Sequence, residues 1–523
     1  AADVTFADGA DIITASAGTS NLRLGVNAGN SIASGGNQNV LVGDEAGTAI
    51  TTGDDNVGVG VRALDAVTTG VRNVAIGTAA LTEQVLGNYS VAVGYSALEA
   101  TNADVDTYNV GVGYKAGEAI STGIRNVLIG GLVGDALTDA DFNVAVGHAA
   151  LSTDEKGSKS VAIGNGTLGT QNFTTATDTF NTAVGTNAGT AVTTGIYNTL
   201  IGGLAGDALT DADDNTAVGL SALSADTLGS KSTAIGRSTL AAQNFTTATD
   251  TYNTAVGFAA GLTVTTGISN TLIGGRSGDA FTDADYNVAV GESSLTSDTL
   301  GSKSVAIGFS ALGNQNFTTA TDSFNTAVGY NAGGAITTGR FNDILGAVAG
   351  DALTVGFYNT VHGAYALSTD VAGSKSTAIG LSALTSQNFT TATDTYNTAV
   401  GFNAGTAVTT GIKNTLIGGG AGDALTDADS NVAIGYLSLT TDTLGSRAVA
   451  VGQGALFSQN FTTATNSYNI GVGYEAGGSI TTGVENTLIG GFAGDALTTS
   501  NYNTALGSGA LGLDDLGSFT TAI

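Results

Sequence analysis

The residues with the clearest chemical potential are carboxylates. The stretch "GDALTDAD" places acids at Asp135 to Asp141, Asp207 to Asp213, Asp279 to Asp285 and Asp423 to Asp429. Closely spaced carboxylate oxygens suit a hard cation such as Ca²⁺, which makes Asp207, Asp211 and Asp213 the metal candidates. The competing reading is a turn in which Asp caps backbone N–H groups. Two copies favour the turn: "DALTVGF" from Asp351 and "DALTTSN" from Asp495 lose the later acids. The expectation is therefore no cofactor, with Ca²⁺ as the alternative.

A glycan-cleaving site needs one particular pair of acids. The acids here recur instead of forming one constellation, and the two histidines, His148 and His362, fall in unrelated columns of the repeat. No serine–histidine–acid set or phosphate-binding loop is recognisable. The chain is expected not to be an enzyme. A β-helical polysaccharide depolymerase is the least favoured reading.

The second candidate set lies in "QNFTTATDTF", which begins at Gln171 and returns with small changes at Gln243, Gln315, Gln387 and Gln459. Each copy adds an aromatic among hydroxyl, amide and carboxylate groups: Phe173, Phe245, Phe317, Phe389 and Phe461. Such a row could contact sugars or a neighbouring protein. Alternatively, each Phe folds back over the edge of its coil.

These groups stand in a chain of unusual composition. It has 523 residues, 79 of them Gly, with no Pro, Cys, Met or Trp and only 11% charged residues. The net charge of −29 would repel a polyanion, so nucleic acid is not an expected partner. No apolar run is long enough for a spanning helix, so membrane insertion is not expected. The chain opens Ala1-Ala2-Asp3 and ends mid-motif on "TTAI", as a piece of a longer protein would.

The element that must position the candidates is a repeat. The word Asn-x-x-Val/Ile-Gly starts at Asn39, Asn56 and Asn73, then at Ser90, mostly in steps of 17 residues. From Asn181 to Asn253 four coils make a 72-residue unit, the fourth being longer because it carries the Gln243 segment. Val184, Ile201, Val218 and Ile235 share the fourth position of the coil, and Gly185, Gly202, Gly219 and Gly236 the fifth. Alternation before an invariant Gly reads as a short strand entering a turn. A 17-residue unit cannot fold alone, but stacked copies can bury a continuous column.

The predicted fold is all-β: a parallel β-solenoid or β-roll of about 28 coils, on the order of 135 Å long at strand spacing. Residues 1–38 are expected to form a cap or lead-in and 39–523 the rod. The fourth-position Val and Ile are expected to seal the core, with the Asn residues forming a polar ladder.

The words "NTAVGTNAGTAVTTGIYNTLIGG" and "NVAVGHAALSTDEKGSKSVAIG" resemble the head repeats of trimeric autotransporter adhesins and, more closely, the NTAVGxxAL repeats of marine phage tail fibres. The resemblance runs from about Asn39 to the end, although the coil here is longer than that of the adhesins. It implies a rod-like virion fibre for host attachment, working by multivalent contact. The alternative it implies is a bacterial surface adhesin or extracellular filament subunit. It further implies self-association, as a homotrimer or filament, with other virion proteins and a host-surface glycan or protein as partners. The location so implied is the virion surface, the cell surface or the extracellular space.

Overall fold

The computed structural model describes residues 16–523; part of the expected 1–38 lead-in, residues 1–15, lies outside them. The chain is all-β, without a helix among the described residues, and divides into two compact units, Ala1–Asn253 and Thr254–Ile523. The first unit stacks thirteen three-residue strands, from Leu22–Leu24 to Thr233–Ile235. The second stacks sixteen, from Thr254–Val256 to Thr521–Ala522. Neighbouring strands are parallel and in strict register, one coil apart: Thr182 pairs with Thr199, which pairs with Thr216. Both units are thus parallel β-solenoids with turns of roughly 17 residues. Leu22 pairs with Val40, so the stacked turns begin at least one coil before the expected boundary at Asn39.

The inward side of each strand differs from expectation. The buried residue is the central one, such as Ala183, Leu200, Ala217 and Ala234, all fully enclosed. The fourth-position Val184, Ile201, Val218 and Ile235 point outward; Ile201 and Ile235 are 39% exposed. The period of two was read correctly and assigned to the wrong face. Parity decides it: the Asn at position one is buried, so position three must be inside and two and four outside.

A narrow coil leaves room for only one or two large inward groups per turn, as with Leu200 and Leu209, and the strand centre is filled in two ways. Leu200 sits at the strand centre over Gly189 and Gly206; a Cβ on either glycine would fall 2.6 or 2.7 Å from a Leu200 methyl. In the next two coils the centre shrinks to Ala217 and Ala234, and buried Leu223 and Leu240 fill the space from the opposite wall. Those leucines take φ values of 54° and 49°, a strained conformation that packing maintains.

Asparagine forms the second inner column. Asn56 donates its backbone N–H to Asn39 Oδ1 at 3.0 Å and its Nδ2 to the Gly70 carbonyl at 2.9 Å. The same pattern links Asn198 and Asn215 to the coils before them. Every rung is buried, and each hydrogen bond satisfies a backbone group that would otherwise be costly to enclose.

The inserted segment repairs a gap in this ladder. Ser232 stands where Asn is expected and is too short to serve the next rung. Gln243 reaches in: its Oε1 accepts from Asn253 Nδ2 at 2.9 Å, and its Nε2 donates to Ser232 Oγ at 2.8 Å and Asp226 Oδ2 at 2.6 Å. Asp226, also buried, accepts from the N–H groups of Gly229 and Phe245. The rest of the insertion pairs with the preceding turn through Gly229–Ser230 and Thr249–Asp250.

Candidate functional site

The structure removes the proposed Phe row from the surface. Phe173, Phe245, Phe317, Phe389 and Phe461 are only 5–8% exposed. A Cβ on Gly301 would lie 2.8 Å from the Phe317 ring and 2.1 Å from Asp298 Oδ2, so the ring lies over the buried Asp–Gln cluster. These rings shield carboxylates from water and are not presented to a ligand. What the insertion exposes is Thr174, Thr175, Ala176 and Asp178.

The calcium candidates also have separate engagements. Asp211 accepts from Thr194 Oγ1 at 2.6 Å and Asp213 from the Ile196 N–H at 2.8 Å. Asp207 has one enclosed carboxylate oxygen with no hydrogen-bond partner. Burial raises the pKa of both Asp207 and Asp213. Among the described residues no three acids or histidines gather into a metal-ligating group.

Two surfaces emerge instead. The first is the outer face of the main sheet. In the first unit its second-position column is Val from Val40 to Val161 and Thr from Thr182 to Thr233. Its fourth-position column is Val or Ile from Val42 to Ile235. The isoleucines Ile76, Ile129, Ile163, Ile201 and Ile235 are 37–41% exposed. At the spacings of a β-sheet, twelve such strands make a strip of on the order of 600 Å², aliphatic in both columns from Val40 to Ile163 and in the fourth-position column alone from Val184 to Ile235. In the second unit the strip is interrupted once, where Asp343 and His362 replace Thr and Val and meet at 3.1 Å. His362 therefore belongs to this outer face and not to the core.

The second surface is the column just before each Asn, which sequence reasoning passed over. Its residues adopt positive φ, as at Tyr197 (59°), Lys231 (62°) and Tyr252 (52°). Eight of the fifteen Lys and Arg stand in it: Arg72, Arg125, Lys159, Lys231, Lys303, Lys375, Lys413 and Arg447. Aromatics fill most other places and stack along each unit: Tyr89 on Tyr108 at 4.9 Å, Phe180 on Tyr197 at 5.7 Å, Phe341 on Tyr358 at 5.0 Å. Lysines lie over the next ring, as Lys159 over Phe180 at 5.0 Å and Lys375 over Tyr396 at 5.0 Å.

Here the insertion contributes again. Its Asp reaches back to the lysine of the preceding turn: Lys231 to Asp250 at 2.5 Å, Lys303 to Asp322 at 2.6 Å, Lys375 to Asp394 at 2.6 Å. The hydrogen bond holds the Lys231 ammonium above and the Asp250 carboxyl below their ordinary pKa. Both groups are exposed, so each pair adds little stability. An open groove of about 580 Å³ runs beside this column, where Arg340 stands near Phe341, Asp285 and Asp322. The signal was present in the sequence as the residue preceding every Asn-x-x-Val/Ile-Gly word.

No protein-family model matches the chain, and no curated protein matches it either. Fold and surfaces define it as a parallel β-solenoid with an outward aliphatic face and an aromatic–cationic edge.

Proposed function

We propose that the chain is a non-catalytic structural protein of an extracellular fibre, built by self-association into a homotrimer or filament. Its place in this reading is a virion attachment fibre that meets a host-surface glycan or protein through repeated contacts. A bacterial surface adhesin or filament subunit is the alternative, and it would use the same association.

The observation that carries the reading is the outward Val/Ile face. A fourth-position Val/Ile column repeated at one fixed spacing is self-complementary, and the natural cover for such a strip is a second copy of the same strip. The strip of the first unit approaches the roughly 800 Å² per partner of a stable interface. Repetition of the polar clusters supports a structural role, because many equal contacts add by avidity.

Sedimentation of the whole chain tests it. The expected result is an oligomer of the 51.1 kDa chain, with Ile129→Lys/Ile201→Lys sedimenting as monomer while keeping the β circular-dichroism signal. A wild-type monomer at micromolar concentration would overturn the association. Antibody labelling of purified virions tests the location; label found only on bacterial surfaces would favour the adhesin.

A further inference from the structure

In the second unit one cavity of about 430 Å³ opens on the variable side of the coils, lined by Tyr436, Gln453, Phe457, Glu475, Ser479 and Asp495. Five of these six stand at turn positions that vary from one 72-residue unit to the next. The residues 72 positions earlier are Ala364, Leu381, Thr385, Asn403 and Ala407 for Tyr436, Gln453, Phe457, Glu475 and Ser479. Only Asp495 keeps its equivalent, Asp423. No other 72-residue unit combines the same six residues, so the chemistry of the cleft is particular to these coils.

The floor is made by absence of side chains. Gly454 and Gly478 line the cleft, and a Cβ on either would come within 3.2 Å of Glu475. Tyr436 is 59% exposed, and Phe457 is also exposed, so two apolar ring surfaces flank the opening. The opposite groups are two carboxylates, a carboxamide and a hydroxyl.

We propose that this cleft is a saccharide-binding site for a neutral or amino sugar. Ring faces pack on the C–H surface of a pyranose, and carboxylate and amide groups accept its hydroxyl or amine protons. The volume lies within the roughly 300–1,000 Å³ of small-molecule sites. Two carboxylates in a chain of net charge −29 discriminate against sialic and uronic acids. The site gives the attachment reading its receptor chemistry and rests on that reading only for its biological setting.

The experiment titrates the full-length chain with N-acetylglucosamine, galactose, glucosamine and N-acetylneuraminic acid, read by saturation-transfer NMR. Binding by at least one of the first three, and not by N-acetylneuraminic acid, is expected. The variant Tyr436→Ala/Phe457→Thr/Glu475→Asn returns three positions to residues that equivalent coils already hold, so the stack is retained. It should weaken binding at least tenfold. A second variant, Glu475→Gln alone, should abolish any preference for glucosamine over galactose. Binding by none of the three sugars, unchanged binding in the triple variant, or preference for the sialic acid would each overturn the proposal. Sedimentation is unaffected by these outcomes, so loss of sugar binding and loss of self-association are read separately.

Discussion

Replacing Gly202 by Ala tests the stacking geometry most directly. Gly202 has φ 137°, and a Cβ there would lie 2.5 Å from the Gly219 carbonyl oxygen and 2.6 Å from its carbon. Both obstacles are backbone, so no side chain can swing aside. Adopting that φ with a side chain costs about 1–3 kcal/mol. Relieving the contact means parting two coils that are joined at Gly219 N–H to Ile201 O (2.7 Å) and Ser221 N–H to Gly203 O (3.0 Å). Each such bond contributes about 0.5–1.5 kcal/mol. The combined loss is about 2–6 kcal/mol by these figures. Because each coil touches only its neighbours, the damage should open the stack locally. The control is Gly203→Ala, whose Cβ would meet nothing nearer than a Leu220 methyl at 3.5 Å. Urea unfolding with hydrogen exchange reads both. Gly202→Ala should lower the midpoint sharply and lose protection around 184–219, while Gly203→Ala should stay within about 0.5 kcal/mol. Equal effects, or a Gly202→Ala loss under about 1 kcal/mol, would refute the close backbone approach.

Gln243→Ala leaves buried Asp226 without its side-chain donor and removes an acceptor from Asn253 Nδ2; a loss of about 2–4 kcal/mol is expected in urea melts, with hydrogen exchange rising at 226–253. Acidification should stabilise the fold: burial raises the pKa of Asp135, Asp207, Asp213, Asp285, Asp298 and Asp351. A raised folded pKa gives stability that is full below the ordinary carboxylate range and is lost as pH rises through the folded value, so Tm should rise between pH 7 and about pH 4. A steady fall over that window would count against it; the exposed Lys231–Asp250 pair works the other way but weakly. Finally, EDTA or added Ca²⁺ should leave Tm unchanged, since Asp211 and Asp213 are held by Thr194 and Ile196; a Ca²⁺-dependent rise would revive the metal reading.

The parallel stack and the coil length were legible because period and register are the same fact in a solenoid. A residue at one position must face its counterpart 17 residues on. Which face of the strand points inward was not legible from hydrophobicity alone. Val and Ile are more apolar than Ala, and the exposed column is the Val/Ile one. The deciding information was the buried Asn at position one, whose parity with position three sets the inward side. The Phe of the insertion failed as a binding candidate for a related reason. Its neighbour two residues earlier, Gln171, bonds a buried Asp154 that lies 17 residues away, and no local pattern announces a carboxylate that needs cover. The aromatic–cationic column was visible as a string of residues but not as a surface, because its members are a full coil apart in sequence.

The inner columns are over-determined: glycine by φ and contact, asparagine by its ladder, the alternating Ala and Leu by volume. The position directly after the glycine carries none of these constraints, which is why Thr186, Gly203, Leu220 and Arg237 can follow one another there. A stack held from within can therefore change its outer residues one coil at a time at little cost in stability. The cleft at Tyr436 is one place where that freedom has been used. Its Gly454 and Gly478 remove side chains from the lining, and Leu439 and Leu456 are buried in the same coils. A site placed this way inherits a rigid floor from the coils below it, and rigid placement of a few polar groups is what small-ligand recognition requires.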